Sequence, residues 1–132
     1  MVFETATLGH KESQYDIGIF FREGEVDAKN FKKMVYWFSL SANNGFVDAQ
    51  RDLGYCYFYG QCVKKDQNKA VYWYRKAASK NDARALYNLG LCYEFGEGAN
   101  KSKRWGDYYF QKAVKFGYKK TKKQLNILVI KK

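Results

Sequence analysis

The sequence predicts an all-α protein, a solenoid of three 36-residue helix-turn-helix repeats that ends in a C-terminal capping helix. Three observations support this fold class. The sequence aligns with itself without gaps when it is shifted by 36 residues, a period typical of helical repeats. Within each unit, apolar residues recur at helical spacing. Proline is absent, so glycines, eleven in all, provide the breaks between the predicted helices, as Gly60 and Gly96 do.

The 36-residue period is clearest between the second and third copies, which share residues of both predicted helices. The aligned pairs are Ala49 and Ala85, Leu53 and Leu89, Gly54 and Gly90, Cys56 and Cys92, Gly60 and Gly96, and Tyr72 and Tyr108. A weaker copy comes before them, in which Ile17 and Gly18 align with Leu53 and Gly54. Such a repeat predicts stacked hairpins, because one hairpin cannot bury its apolar face alone.

The whole chain, 1–132, is expected to form one domain. Its repeats are predicted at about 13–48, 49–84 and 85–120. Leu125 aligns with Leu89, which predicts a fourth unit that begins and stops after one helix. We therefore expect a helix at about 119–130 to cover the open end of the third repeat, with its lysines in water and its apolar residues turned inward.

Each repeat predicts a first helix, A. In the middle copy helix A runs from about Ala49 to Tyr59, with Ala49, Leu53 and Tyr57 on one face. Gly54 has an equivalent in every copy, which predicts a place where a neighbouring helix comes too close for a Cβ. Gly60 follows the last aromatic residue and predicts the C-terminal end of the helix.

A second helix, B, follows a short loop. Asn30, Asp66 and Ser102 fall at its start in the three copies, and each can accept a hydrogen bond from a free N–H group of the first turn. We therefore predict that they are N-caps. The helix then carries an amphipathic stripe of small and aromatic residues, which in the middle copy are Ala70, Trp73, Tyr74, Ala77 and Ala78.

The middle copy resembles a Sel-1-like repeat. The family pattern is A-x-x-x-L-G-x-x-Y-x-x-G, then G-V-x-x-D-x-x-K-A, then W-Y-x-K-A-A, and residues Ala49 to Ala78 follow it closely. The resemblance covers about residues 9–129, and it departs from the pattern at Cys62, where the third copy keeps the loop glycine as Gly98. It implies a right-handed α/α superhelix, similar to tetratricopeptide repeats, that serves as a non-catalytic scaffold or adaptor in protein complexes.

The resemblance also implies that the A helices line a concave surface, where we predict the partner-binding site. Helix geometry leaves these side chains off the core face in the second and third copies: Arg51, Tyr55, Phe58, Tyr59, Tyr87, Asn88, Leu91 and Phe95. The first copy offers Tyr15, Ile19 and Arg22. Aromatic residues and arginine are frequent anchors of interfaces, so the expected partner is an unidentified protein or peptide. The competing interpretation is that these rings pack between neighbouring A helices.

A lysine-rich C-terminal end gives an alternative function. No acidic residue follows Asp107, and the last 25 residues hold eight lysines, whereas the first 107 residues carry a net charge of only +3. A basic patch of Lys119, Lys120, Lys122 and Lys123 could bind nucleic acid or an anionic surface. The competing interpretation is a solvated face of the capping helix, and no nucleic-acid-binding motif is present.

Catalysis and metal binding are not expected. General acid–base chemistry needs titratable groups brought together, and the single histidine, His10, falls in a predicted turn. The three cysteines form no CxxC pair, so they predict buried thiols rather than a metal site or a disulfide framework. The sequence calls for no cofactor. Residues 1–10 lack the features of a secretory signal and no segment is apolar enough to span a membrane, so we expect a cytoplasmic or otherwise intracellular protein.

Overall fold

The computed structural model describes residues 9–24 and 28–119, and over these residues it consists of six helices and no strand. The helices are α1 (Lys11–Glu23), α2 (Ala28–Asn43), α3 (Val47–Tyr59), α4 (Gln67–Ala78), α5 (Ala83–Phe95) and α6 (Lys103–Lys115). We call α1, α3 and α5 the A helices and α2, α4 and α6 the B helices. The predicted all-α solenoid of helical hairpins is confirmed. The predicted capping helix at 119–130 lies, except for its first residue, outside the described residues.

Each A helix packs most extensively against the B helix of its own repeat, and each B helix then packs against the next A helix. The glycine of the A helix permits the first of these contacts. A Cβ at Gly54 would lie 2.8 Å from the ring of Tyr74, and one at Gly90 would lie 2.6 Å from the ring of Phe110. Ordinary van der Waals contact needs about 3.5–4.0 Å. The close approach predicted from the repeated glycine is therefore confirmed.

Most of the helix ends lie at the capping residues predicted from the sequence. Gly60 adopts a left-handed conformation with φ 67°, and its N–H donates to the carbonyl of Cys56. Asp66 and Ser102 cap α4 and α6 through their side-chain oxygens, as predicted. The prediction for Asn30 is wrong. Helix α2 begins at Ala28, which places Asn30 within the first turn instead of before it.

The core divides into two clusters along the solenoid. The first lies among α1, α2 and α3, includes Phe38, Leu53 and Cys56, and is joined by Trp73 of α4. The second lies among α4, α5 and α6 and includes Tyr74 and Leu89. Alanines that are fully buried in α3, α4 and α5 let the helices come close, and the aromatic rings fill the space between the layers. The A helices are thereby fixed side by side, and their outer side chains form the candidate site.

Candidate functional site

The eight residues predicted to bind a partner differ in exposure. Tyr55, Tyr59 and Phe95 are exposed. The other five are partly buried: Arg51, Phe58, Tyr87, Asn88 and Leu91. In the first copy, Tyr15 and Ile19 are partly buried and Arg22 is exposed. The exposed rings belong to α3 and α5, so the second and third repeats offer the most aromatic surface on the A helices.

A surface cavity of about 190 Å³ lies between α3 and α5. Three predicted residues line it, namely Arg51, Tyr55 and Asn88. Sequence reasoning missed the other three lining residues, which are Asp52, Arg84 and Tyr118. Asp52 follows Arg51 directly, and Arg84 lies one helical turn before Asn88, so their positions on the same helix faces were available signals.

Arg51 is held by carboxylates on two sides. Its guanidinium lies 3.2 Å from Asp48, 3.2 Å from Asp52 and 3.1 Å from Asp82, which precedes α5. Only 16% of its side chain is exposed. Burial alone would lower the pKa of the Arg51 guanidinium, but the three carboxylates outweigh burial and raise it. The guanidinium therefore stays charged and holds the three carboxylates together at the wall of the cavity.

Asp52 connects this ion cluster to the first repeat. It accepts a hydrogen bond of 2.7 Å from the hydroxyl of Tyr15 in α1 and lies 3.8 Å from the guanidinium of Arg22. Burial raises the pKa of the Tyr15 hydroxyl, and the hydrogen bond to Asp52 raises it further, so the hydroxyl remains a donor at neutral pH. Polar side chains thus link three consecutive A helices: α1, α3 and the start of α5.

Two of the predicted rings are engaged in packing. Tyr87 stacks on Tyr118, with ring centroids 4.4 Å apart and planes 10° apart, and it also contacts Phe110 at 5.4 Å. Phe58 contacts Tyr74 at 6.3 Å. These two rings therefore pack on the B helix of their own repeat, whereas the competing interpretation placed them between neighbouring A helices.

The remaining rings form an exposed aromatic row on the A helices, which consists of Tyr55, Tyr59 and Phe95. Tyr55 and Tyr59 are in contact, with ring centroids 4.5 Å apart. Phe95 occupies in α5 the position that Tyr59 occupies in α3. Tyr55 also lines the cavity, so the Tyr55 and Tyr59 end of the aromatic row adjoins the cavity.

A second cavity, of about 200 Å³, lies on the other side of Asp52 and Tyr55, where α1, α2 and α3 meet. Its walls include Met34, Cys56 and Cys62. Burial raises the pKa of the Cys56 thiol to about 12, so this thiol is protonated at neutral pH and is a poor nucleophile. Across residues 9–24 and 28–119, His, Cys, Asp and Glu side chains do not gather in groups of three or more that could hold a metal ion.

The predicted basic patch is described at one residue only. Lys119 is exposed, and Lys120, Lys122 and Lys123 lie outside the described residues. In the part of the chain that the structure describes, no helix combines the length and the apolar character needed to cross a membrane.

The family model described as Sel1 repeat matches three consecutive segments of the chain, residues 11–46, 47–82 and 83–115. The fold is similar to the crystal structure of a Sel1 repeat protein from Oxalobacter formigenes, with a TM-score of 0.83 and 30% sequence identity. That alignment covers 95% of this chain and 94% of the other. The sequence matches no curated protein.

Two further structures share the fold. One is a protective antigen of uropathogenic Escherichia coli strains that displays an SLR fold, with a TM-score of 0.82 and 31% identity. That alignment covers 89% of this chain but only 25% of the antigen, so this chain spans a quarter of that protein. The other is cysteine-rich protein B of Helicobacter pylori, with a TM-score of 0.68, 24% identity and coverage of 89% and 84%. This last likeness concerns the fold alone.

Proposed function

Because the chain belongs to the Sel1 repeat family, we propose that it is a non-catalytic scaffold whose protein or peptide partner binds the groove on the A helices. Sel1 repeat proteins generally mediate protein–protein interactions. The finer assignment, to this groove and to these residues, rests on the side chains of the groove and on its cavity.

One observation carries the proposal: the exposed ring of Tyr55 lines a cavity of about 190 Å³ and contacts the exposed ring of Tyr59, and Phe95 repeats the exposed position of Tyr59 on α5. Tyrosine and phenylalanine lose little conformational entropy when they are covered, and they contribute much of the binding energy at interfaces. Arg84 and Asn88 add polar groups on the cavity wall. The site therefore suits a segment that inserts an apolar side chain and presents an acceptor, such as a carboxylate or a carbonyl, beside it.

The proposal is tested by capturing proteins from a lysate on the immobilised chain, and then measuring the affinity of the purified partner by calorimetry. The triple variant Tyr55→Ala/Tyr59→Ala/Phe95→Ala should weaken binding by about tenfold or more, because interface anchors cost at least about 1–2 kcal/mol each when truncated. Circular dichroism should remain that of the wild type, since these rings lie outside the core.

A matched control comes from the B helices, which carry three exposed tyrosines, Tyr36, Tyr72 and Tyr108. Their replacement by alanine removes a similar area of ring surface from the other layer of the solenoid and should leave partner affinity unchanged. Equal affinity of the groove variant and the wild type would contradict the proposal.

The alternative is binding of nucleic acid or an anionic surface through Lys119, Lys120, Lys122 and Lys123. It is favoured by the eight lysines that follow Asp107 and by the exposure of Lys119. Nuclease treatment of the lysate and added salt separate the two functions. Contacts to phosphates weaken steeply between about 50 and 200 mM salt, whereas an aromatic groove responds weakly.

A further inference from the structure

The positive charge of the protein is concentrated on one of its two helix layers. The B helices contain ten lysines and arginines and a single carboxylate, Asp107, which is a net charge of +9. The A helices contain four basic and six acidic residues, a net charge of −2. The net charge of a stretch of sequence does not reveal this segregation, because A and B helices alternate along the chain and their opposite charges partly cancel. Two surfaces of opposite character therefore lie on one rigid scaffold.

An exposed tyrosine recurs on each B helix at 36-residue spacing. Tyr36, Tyr72 and Tyr108 are 59%, 53% and 48% exposed, whereas the residues two positions later, Phe38, Tyr74 and Phe110, are buried. Each of the three tyrosines meets the ring of the next residue edge-on, with centroids 5.0–5.4 Å apart, and Tyr108 also meets Trp105 edge-on at 5.5 Å. Half of each ring thus remains open to solvent.

A lysine or arginine lies one helical turn from each of these tyrosines, on the same helix face. Lys32 precedes Tyr36, Lys76 follows Tyr72, and Arg104 and Lys112 flank Tyr108. The Nζ atoms of Lys76 and Lys112 lie 5.1 Å and 5.8 Å from the centroids of the Tyr72 and Tyr108 rings. Each B helix therefore presents its exposed tyrosine next to at least one cation on the same face.

A shallow surface depression of about 440 Å³ lies beside the middle stripe. Its lining residues are Asn68, Val71, Tyr72, Arg75 and Lys76 of α4, Ser79 directly after α4, and Gly98 of the following repeat. Its rim therefore combines an aromatic ring, two cations, an amide and a hydroxyl. Such a rim can hold a planar polar group against the ring while a negative charge lies on the cations.

We propose that the outer face of the B helices binds single-stranded nucleic acid, with bases stacked on Tyr36, Tyr72 and Tyr108 and phosphates held by the neighbouring lysines and arginines. Alternating rings and cations are the usual composition of surfaces that bind single strands without strong sequence preference. The site lies on the layer opposite the partner groove and does not depend on the proposed function.

Other anionic occupants fit the same face less well. A membrane-surface helix needs a broad apolar stripe that enters the lipid, and the exposed rings of α2 and α4 are tyrosines with polar hydroxyls. An acidic protein segment would use the cations but gives no reason for an exposed ring in every repeat. A duplex keeps its bases stacked inside and offers the rings nothing to stack on.

The test is fluorescence anisotropy of the full chain with a labelled oligouridylate RNA of about 20 nucleotides at about 50 mM salt. The triple variant Tyr36→Ala/Tyr72→Ala/Tyr108→Ala should bind at least about tenfold more weakly, because loss of stacking reduces affinity several-fold per base. The A-helix variant Tyr55→Ala/Tyr59→Ala/Phe95→Ala removes as many exposed rings and should bind the RNA as the wild type does. Far-UV circular dichroism checks that each variant is folded.

A pair of charge variants tests the phosphate contacts without touching a ring. Lys76→Gln/Lys112→Gln should flatten the dependence of log affinity on log salt by about 1.4, since each phosphate contact to a single strand contributes about 0.7. Lys64→Gln/Lys65→Gln removes the same charge from two exposed loop lysines and should leave this slope nearly unchanged.

Four results would overturn the proposal. The tyrosine variant could bind RNA like the wild type, or the two charge variants could weaken binding equally, which would mean that net charge alone attracts the RNA. Replacement of Lys119, Lys120, Lys122 and Lys123 by glutamine could abolish binding while the B-helix variants retain it, which would assign the site to the C-terminal end. Finally, polyglutamate or phosphatidylserine vesicles could compete better than unlabelled RNA, which would assign the face to an occupant of another class.

Discussion

At three equivalent positions, the two outer repeats carry aromatic residues, whereas the middle repeat carries one aromatic residue and an ion pair. In the outer repeats, a tyrosine of the A helix contacts two other rings, with centroids 4.4–5.4 Å apart. These trios are Tyr15 with Phe38 and Phe46, and Tyr87 with Phe110 and Tyr118. In the middle repeat the equivalent residues are Arg51, Tyr74 and Asp82, and Arg51 forms an ion pair of 3.1 Å with Asp82.

The difference shows how one repeat can organise its neighbours. A ring trio joins an A helix to its own B helix and to the residue that follows the hairpin. The ion cluster reaches further, because Asp52 also accepts the Tyr15 hydroxyl from α1, and Asp82 accepts the N–H of Ala85 and so caps α5. Charged hydrogen bonds are directional, so this cluster fixes the orientation of successive A helices where packed rings would tolerate small shifts. The proposed partner groove lies on those helices.

The largest effect is expected when the ion cluster of the middle repeat is broken. Arg51→Ala leaves the carboxylates of Asp48, Asp52 and Asp82 near one another without their shared cation. We expect the free energy of unfolding to fall by about 3 kcal/mol, because removing one partner of a largely buried ion pair is costly. Urea denaturation followed by circular dichroism measures the change.

Two further variants test whether the loss of stability comes from the ion cluster and whether a ring trio can replace it. Arg84→Ala removes an exposed arginine from α5 and should cost no more than about 0.5 kcal/mol. Arg51→Tyr/Asp82→Tyr rebuilds a ring trio around Tyr74 and should be more stable than Arg51→Ala, although it loses the cap of α5. An Arg51→Ala variant as stable as Arg84→Ala would show that the ion cluster contributes nothing.

A smaller effect is expected at the loop where the middle and third repeats also differ. Cys62 and Gly98 are equivalent and both have positive φ, 68° and 76°. A Cβ at Gly98 would overlap the carbonyl oxygen of Gln67 and approach Val71 to 2.8 Å, whereas Cys62 lines the cavity of about 200 Å³. We expect Gly98→Ala to destabilise the fold by about 2 kcal/mol, from steric overlap added to the cost of positive φ.

The reverse change is the matched control for this loop. Cys62→Gly removes the side chain from a left-handed position and should alter the stability by less than about 1 kcal/mol, since lost strain and lost packing oppose each other. Thermal melting of both variants gives the comparison. Equal melting temperatures for Gly98→Ala and the wild type would mean that the third repeat has the same free space as the second.

The parts of the fold that repeat along the chain could be predicted from the sequence. Gly54 and Gly90 pointed to close helix contacts, and Asp66 and Ser102 to N-caps, because each carries its signal in its own residue type and recurs at 36 residues. Asn30 misled the prediction because α2 begins earlier than its equivalents. A helix start depends on the loop before it as well as on one capping residue.

The candidate site was less predictable because its contacts join residues that are far apart in the chain. Asp82 lies 31 residues from Arg51, and nothing local indicates which carboxylate an arginine will meet. Tyr118 lies beyond the last B helix, yet it covers Tyr87 and lines the cavity. Superimposing the repeats would have aligned Phe46, Asp82 and Tyr118, and this alignment was the one available signal for both contacts.

The smallest effect is expected at the B-helix residue of the trio. Here the substitution should raise the free energy of unfolding instead of lowering it. The outer repeats hold Phe38 and Phe110 there, whereas the middle repeat holds Tyr74, which is equally buried. Within the described residues, the Tyr74 hydroxyl is buried without a hydrogen-bond partner. A buried polar group without a partner costs about 1–3 kcal/mol, so Tyr74→Phe should stabilise the protein by about 1 kcal/mol.

The sign of this change distinguishes two accounts of the middle repeat. Urea denaturation at pH 7 measures it, and Tyr72→Phe, which removes the hydroxyl of an exposed neighbour, is the control that should change little. If Tyr74→Phe destabilises the protein instead, the hydroxyl has a partner such as a buried water, and the middle repeat has a second polar anchor beside Arg51. If it stabilises the protein, the ion cluster alone distinguishes the middle repeat, and the buried Tyr74 hydroxyl lowers the free energy of unfolding.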